Sequence, residues 1–195
     1  MTVQNSKLLK EKYKINKKYI LFVGTLQPRK NIVRLIEAFS KIHHQQQLNL
    51  VIVGKKGWMY EEILEAPKQY GIENQIKFLE FVPDEDLSLL YKNALCFVLP
   101  SLYEGFGLPV LEAMTQGCPV ITSNVSSLPE AGGDAALYVD PEDVDDIAAK
   151  MQSLVKDEEL RKTLIEKGYK QVKKFSWEKA ARETLKVLEE VGERR

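Results

Sequence analysis

Residues 95–115 read L-C-F-V-L-P-S-L-Y-E-G-F-G-L-P-V-L-E-A-M-T, and their succession of patterns decides how the chain is built. Leu95 to Leu99 is an apolar run of strand length, residues 100 to 107 form a loop with two glycines, and a helix follows. Pro109 suits the first helical position, because its missing N–H is unpaired there in any case. Strand, glycine loop and helix start together form one unit of an α/β sheet protein.

The loop also carries chemistry. Gly105 and Gly107 let backbone N–H groups approach a ligand without a Cβ in the way. The helix N-terminus adds unpaired N–H groups and partial positive charge, which suits phosphate. Glu104 and Glu112 bracket the site. A carboxylate does not grip a phosphate, so both acids are assigned to hydroxyl groups. A nucleotide sugar, with phosphate between two polyhydroxylated parts, satisfies all of these groups. Spacing alone leaves simpler roles open: Glu112 gains from the helix dipole, and Glu104 could be a solvated loop charge.

The same alternation extends in both directions. Tyr19 to Gly24 and Leu48 to Gly54 are apolar on both faces, as strands of a covered parallel sheet are. Ile76 to Phe81, Cys118 to Thr122 and Ala136 to Val139 complete about six strands. Between them, Asn31 caps a helix with Ile32, Leu35, Ile36, Phe39 and Ile42 on one stripe. A second helix starts near Met59 and is ended by Pro67 and Gly71; a third is capped by Asp84. The helix after the glycine loop ends at Gly117, and the segment 140–143 caps the next with Pro141 at its first position. Helices over about 143–156 and 157–173 follow, and Ser176 caps a last one. That last helix has Trp177, Ala180, Ala181, Thr184, Leu185, Leu188 and Val191 on one side. The expected fold is a Rossmann-like, doubly wound parallel sheet flanked by helices, occupying residues 19–195. Residues 1–18 are basic and weakly patterned and are read as a linker or solvated tail.

In such sheets ligands bind at the carboxyl ends of the strands, so the loop after the first strand belongs with the glycine loop. It reads G-T-L-Q-P-R-K-N over residues 24–31. Arg29 and Lys30 stand just before a helix N-terminus, where positive charge is already present, and an anion between them would remove the conflict. The alternative is that both point into solvent.

Composition limits the partners. Lys plus Arg and Asp plus Glu both number 28, so no global field draws the chain to nucleic acid or an anionic membrane. Hydrophobic content of 44% with 29% charged residues is that of a globular domain. Cys96 and Cys118 fall in apolar runs, which suggests buried thiols in a reducing compartment. His43 and His44 lie side by side at a helix end, point to different faces, and are expected to be exposed and to bind no metal. No apolar run reaches membrane-span length, and a cytoplasmic location is expected.

Taken in order, V-G-T-L-Q-P-R-K-N (23–31), E-G-F-G-L-P-V-L-E (104–112) and S-S-L-P-E-A-G-G-D-A-A-L-Y-V-D-P (126–141) resemble the C-terminal half of the group 1 retaining glycosyltransferases of GT-B fold. The chain resembles particularly the mannosyltransferase-like members that act in polysaccharide and lipopolysaccharide assembly. The resemblance implies a donor-binding half transferring a hexose, mannose by preference, from a GDP- or UDP-linked sugar to a saccharide or lipid-linked acceptor with retention. It implies that Lys30 and Arg29 neutralise the diphosphate and that Glu104 meets the transferred sugar. Gly24, Thr25, Gly105, Phe106, Gly107 and Leu108 would line the donor, Glu112 would accept from the ribose hydroxyls, and the backbone at Val82 would face the base. Many relatives carry arginine where this chain has Thr25, so Arg29 would compensate. No cofactor or metal is implied. An N-terminal acceptor domain, through which alone membrane contact would come, is absent from this chain, which is expected to bind nucleotide weakly and transfer no sugar by itself. The other readings are a GT-B-like sugar-nucleotide epimerase and a non-catalytic binding module. A phospho-acceptor module would need an aspartate at a central strand end, where this chain has Gly24, Gly54 and Pro100.

Overall fold

The computed structural model describes residue 9 and residues 11–43 and 48–192. Its strands are β1 (Tyr19–Val23), β2 (Asn49–Val53), β3 (Ile76–Leu79), β4 (Cys96–Leu99), β5 (Val120–Ser123) and β6 (Ala136–Val139). They form one sheet in the order β3-β2-β1-β4-β5-β6, and every neighbouring pair is parallel. Parallel neighbours need crossovers, and here helices supply them on both faces. The chain leaves β1 toward one edge and, from β4, toward the other, so the order reverses between these two strands.

The apolar runs are strands because both faces are covered. Ile20, Leu21 and Phe22 of β1 and Leu50, Val51 and Ile52 of β2 are fully buried, as are Phe97, Val98 and Leu99 of β4. The helices are α1 (Ile32–Ser40), α2 (Glu61–Gln69), α3 (Asp84–Asn93), α4 (Leu108–Thr115), α5 (Leu128–Gly132), α6 (Val144–Lys156), α7 (Glu158–Val172) and α8 (Trp177–Gly192). Helix α1 buries the stripe expected of it, Ile32, Leu35, Ile36 and Phe39. Gly54 is required by close approach: a Cβ there would stand 2.0 Å from the Gly24 carbonyl oxygen. The ends of β1 and β2 therefore meet backbone to backbone.

Several local expectations are corrected. Asn31 stands at the N-cap of α1, but in a left-handed conformation (φ 60°) and with no side-chain capping bond. Its amide instead donates to the carbonyls of Pro100 (2.9 Å) and Pro141 (2.6 Å). Pro67 lies inside α2 and does not end it. The stop is at Gly71 (φ 67°), where Ile72 N–H returns to Pro67 O at 2.9 Å and Gly71 N–H to Lys68 O at 3.1 Å, the Schellman arrangement. Asp84 is the first residue of α3, with Pro83 at the cap. In α4, Gly107 is the cap and Leu108 precedes Pro109. Helix α6 is capped by Asp143, whose side chain accepts from the N–H groups of Asp145 and Asp146, so Pro141 lies outside it. Ser176 does cap α8, accepting from Lys179 N–H at 3.0 Å.

The described part of the basic N-terminal segment is not a solvated tail. Leu9 and Ile15 belong to the core. Lys12 and Tyr13 both donate to the Asp86 carboxylate at 2.5 Å, tying the segment to α3. His43 is buried, contrary to expectation, with Nδ1 2.9 Å from Ser40 O; His44 lies outside the described residues. Cys96 and Cys118 are free and buried, and burial pushes the Cys96 thiol up to about 12 and the Cys118 thiol well above its ordinary value. Among the described residues no helix is long and apolar enough to cross a membrane.

Candidate functional site

The reversal of strand order between β1 and β4 opens a crevice at their carboxyl ends, where ligands of doubly wound sheets bind. Two loops border it, residues 24–31 after β1 and 100–107 after β4. The first ends in a short 3-10 turn, Pro28–Lys30, which proline favours by fixing its own φ. Asn31 follows in the left-handed conformation that asparagine tolerates and turns the chain into α1. The two loops are joined by backbone as well, Leu102 N–H donating to Arg29 O at 2.8 Å.

This geometry converges three of the expected residues. Lys30 Nζ lies 2.5 Å from Glu104 Oε1, and Arg29 Nη1 lies 2.9 Å from Glu104 Oε2. Arg29 also donates to Tyr103 O at 2.8 Å. The anion that resolves the two cations is therefore the chain's own carboxylate. Glu104 is no solvated loop charge: it is 7% exposed, as is Lys30. Burial alone would raise its carboxyl, but hydrogen bonds from Lys30, Ser101 and Arg29 outweigh it and hold the group below its ordinary range.

Three serines support Glu104 and are not assigned by the sequence reading. Ser101 Oγ donates to Oε1 at 2.7 Å. From the loop between β5 and α5, Ser126 Oγ accepts from the Glu104 N–H at 3.1 Å, and Ser127 Oγ donates to Glu104 O at 3.0 Å. Ser126 holds a positive φ of 55°. A signal for Ser101 is its place three residues before Glu104; for Ser126 and Ser127 nothing local could have indicated it, since they approach from another strand's loop.

Glu112 stands apart from this cluster. It is exposed, accepts from Tyr91 Oη at 3.2 Å, and lines a groove of about 920 Å³ with Phe106, Leu108, Phe175 and Trp177. Arg29, Lys30 and Glu104 are not among the residues lining that groove. Burial first, and the Glu112 charge second, push the Tyr91 phenol upward, so it stays a hydrogen-bond donor at neutral pH. Phe106 packs edge-on against Phe175, ring centres 5.7 Å apart, which fixes one wall of the groove. Gly105 is open, nothing lying within 4 Å of a Cβ placed there, whereas Gly107 has φ 97° and its Cβ would meet Leu128 Cδ2 at 2.9 Å. Gly24 is half-buried beside Lys30, Thr25 is exposed and Val82 is buried.

The sequence contains Asp-x-Asp spacings at 84–86 and 143–145. Both are occupied at helix starts, Asp86 with Lys12 and Tyr13, Asp143 with the α6 backbone. Among the described residues no three His, Cys, Asp or Glu side chains are placed to hold a metal ion together.

The profile of the family described as glycosyl transferases group 1 matches residues 5–171. The chain is 43% identical over 169 residues to an O-antigen chain mannosyltransferase B of Escherichia coli, covering 86% of this chain and 44% of that protein. It thus spans under half the length of this curated relative. Among solved structures, it is similar to a sucrose-phosphate synthase of Thermosynechococcus elongatus (TM-score 0.83, 27% identity), over 96% of this chain and 49% of that one. It is also similar to the C-terminal domain of a glycosyl transferase group 1 family protein of Francisella tularensis (TM-score 0.75, 28% identity), over 88% of this chain and 93% of that one.

Proposed function

The chain belongs to the glycosyl transferases group 1 family, and from that membership we propose that its crevice binds the nucleoside-diphosphate sugar of a retaining hexosyltransferase. The observation that carries this reading is the meeting of Arg29, Lys30 and Glu104 at the strand reversal, two cations and a hydroxyl-accepting carboxylate in one place. The sugar we assign is mannose from a GDP donor, on the likeness to the O-antigen mannosyltransferase. The acceptor, a growing polysaccharide, is held by a part of the enzyme outside this chain. Free buried Cys96 and Cys118 favour a reducing, cytoplasmic setting.

In this reading Lys30 and Arg29 neutralise the diphosphate and the charge that grows on it as the sugar leaves. Backbone N–H groups from Gly105 to Leu108, at the head of α4, face phosphate and sugar. Glu104 accepts from sugar hydroxyls, and Glu112, reached from the adjoining groove, accepts from the ribose. The backbone at Val82 faces the base. No metal is assigned a role, because the two cations and the helix terminus supply the positive charge the leaving group needs.

Calorimetric titration of the chain with GDP, UDP and ADP, repeated on Lys30→Ala and Glu112→Ala, tests this. Saturable binding of one diphosphate, lost in both variants, supports the assignment. Absence of binding at millimolar concentration overturns it for this chain.

A further inference from the structure

The cations proposed for the diphosphate are not free to receive it. Glu104 Oε1 accepts from Lys30 at 2.5 Å and from Ser101 at 2.7 Å, and Oε2 accepts from Arg29 at 2.9 Å. The Lys30 and Glu104 side chains are 9% and 7% exposed, so water cannot readily replace either partner. Arg29, at 42%, is the more accessible of the two cations. A diphosphate entering the crevice must take these donors away from a carboxylate that already holds them.

Resting on the donor-site reading above, we propose that Glu104 is a built-in competitor for the diphosphate position, and that this competition makes the site prefer an intact nucleotide sugar to the free nucleoside diphosphate. A buried carboxylate stripped of its cations is costly unless new donors reach it. Ser101 supplies one hydrogen bond, which does not replace two charged ones. Sugar hydroxyls beside the diphosphate supply further donors, so a nucleotide sugar compensates for the exchange it causes. A free nucleoside diphosphate brings no such hydroxyl, and its terminal phosphate places a like charge near the displaced carboxylate. Glu104 then retakes Lys30 and Arg29 once the sugar has gone, and the spent nucleotide leaves readily.

The test is a calorimetric titration of the chain and its Glu104→Gln variant with pyrophosphate, with GDP against GDP-mannose, and with UDP against UDP-glucose. Pyrophosphate isolates the exchange, having neither base nor hydroxyl. Removing the competing charge should tighten pyrophosphate and the free diphosphate about tenfold, the scale of one charge-assisted hydrogen bond, while the sugar-linked donor gains nothing. The preference for donor over free diphosphate then collapses in the variant. Ser101→Ala takes away the one hydrogen bond the stripped carboxylate keeps, so it should shift pyrophosphate affinity the opposite way, weakening it by less than about tenfold, and serves if Glu104→Gln does not fold as judged by its urea midpoint. A folded Glu104→Gln with unchanged or weaker pyrophosphate affinity, or a Ser101→Ala with tighter affinity, overturns the competition while leaving the donor site standing. A wild-type chain that binds none of the ligands overturns both.

Discussion

Lys30 Nζ and Glu104 Oε1 lie 2.5 Å apart across 74 residues of chain, each on a side chain less than one-tenth exposed. The pair joins the two loops that border the crevice, and its energetics differ from those of Arg29, which shares the same carboxylate from a 42% exposed position.

Removing the buried partner should cost more than removing the exposed one. Lys30→Ala leaves Glu104 with one exposed cation and should lower unfolding free energy by about 3 kcal/mol. Arg29→Ala should cost under about 1 kcal/mol, as an accessible ion pair does. Urea denaturation of the two variants beside the wild type measures both, and equal losses would contradict the assignment of the buried pair as the dominant one.

Stability should also depend on pH through Glu104. Burial would raise its carboxyl, but Lys30, Ser101 and Arg29 hold it lowered. A carboxyl whose folded value is depressed adds stability that is present above the unfolded value, about 4.3, and is lost as pH falls through the folded value. The wild type should therefore weaken more steeply than Glu104→Gln in the acid range below about pH 4.5. Urea midpoints of both proteins across the acid range, with parallel profiles as the contrary result, decide it.

The glycines divide by role. Gly54→Ala would drive a Cβ to within 2.0 Å of Gly24 O and, being backbone against backbone, should cost about 3 kcal/mol or more or prevent folding. Gly105→Ala meets nothing within 4 Å and should leave stability within about 0.5 kcal/mol of wild type. If Gly105 admits a ligand to the backbone, the same substitution should weaken diphosphate binding. Thermal melts and calorimetry together separate the two roles, and Gly105→Ala binding as tightly as wild type would remove that residue from the site.

Asn31→Ala should be costly although it removes no helix cap. Its amide serves Pro100 O and Pro141 O, both bonds buried, and the loss should be about 2–4 kcal/mol. Asn31→Gly, which tolerates φ 60° better, should recover only a fraction of that. A recovery to wild-type stability by Asn31→Gly in chemical denaturation would show that backbone strain, and not the two carbonyls, sets the requirement.

Much of the fold was legible because strands covered on both faces write continuous apolar runs, as Ile20 to Phe22 and Phe97 to Leu99 do. The approximate convergence of Lys30 and Glu104 was legible too, since topology puts both loops at one sheet edge. Their direct pairing was not. Nothing in the local pattern around Arg29 and Lys30 shows that their anion lies 74 residues onward in the same chain. Helix boundaries failed where proline and aspartate each admit two roles: Pro67 stays inside α2 and forgoes only its own N–H bond back toward Ile63, and Asp143, not the earlier Asp140, takes the cap of α6. Ser126 and Ser127 were invisible for a third reason, as their partner is the backbone of Glu104, which any residue there would present.

The central position of β1 has a consequence for synthesis. Its one edge is paired by β2 as soon as residues 49–53 are made, but the other edge waits for β4, and Lys30 waits for Glu104. At typical translation rates the interval of 74 residues lasts roughly 4–15 s. Once residues 49–53 are made, and until β4 follows, the nascent half-sheet presents an apolar open strand beside an uncompensated lysine. The arrival of the glycine-loop segment closes the edge and neutralises the charge in close succession, so the crevice between the two loops comes into being as the two halves of the sheet become one.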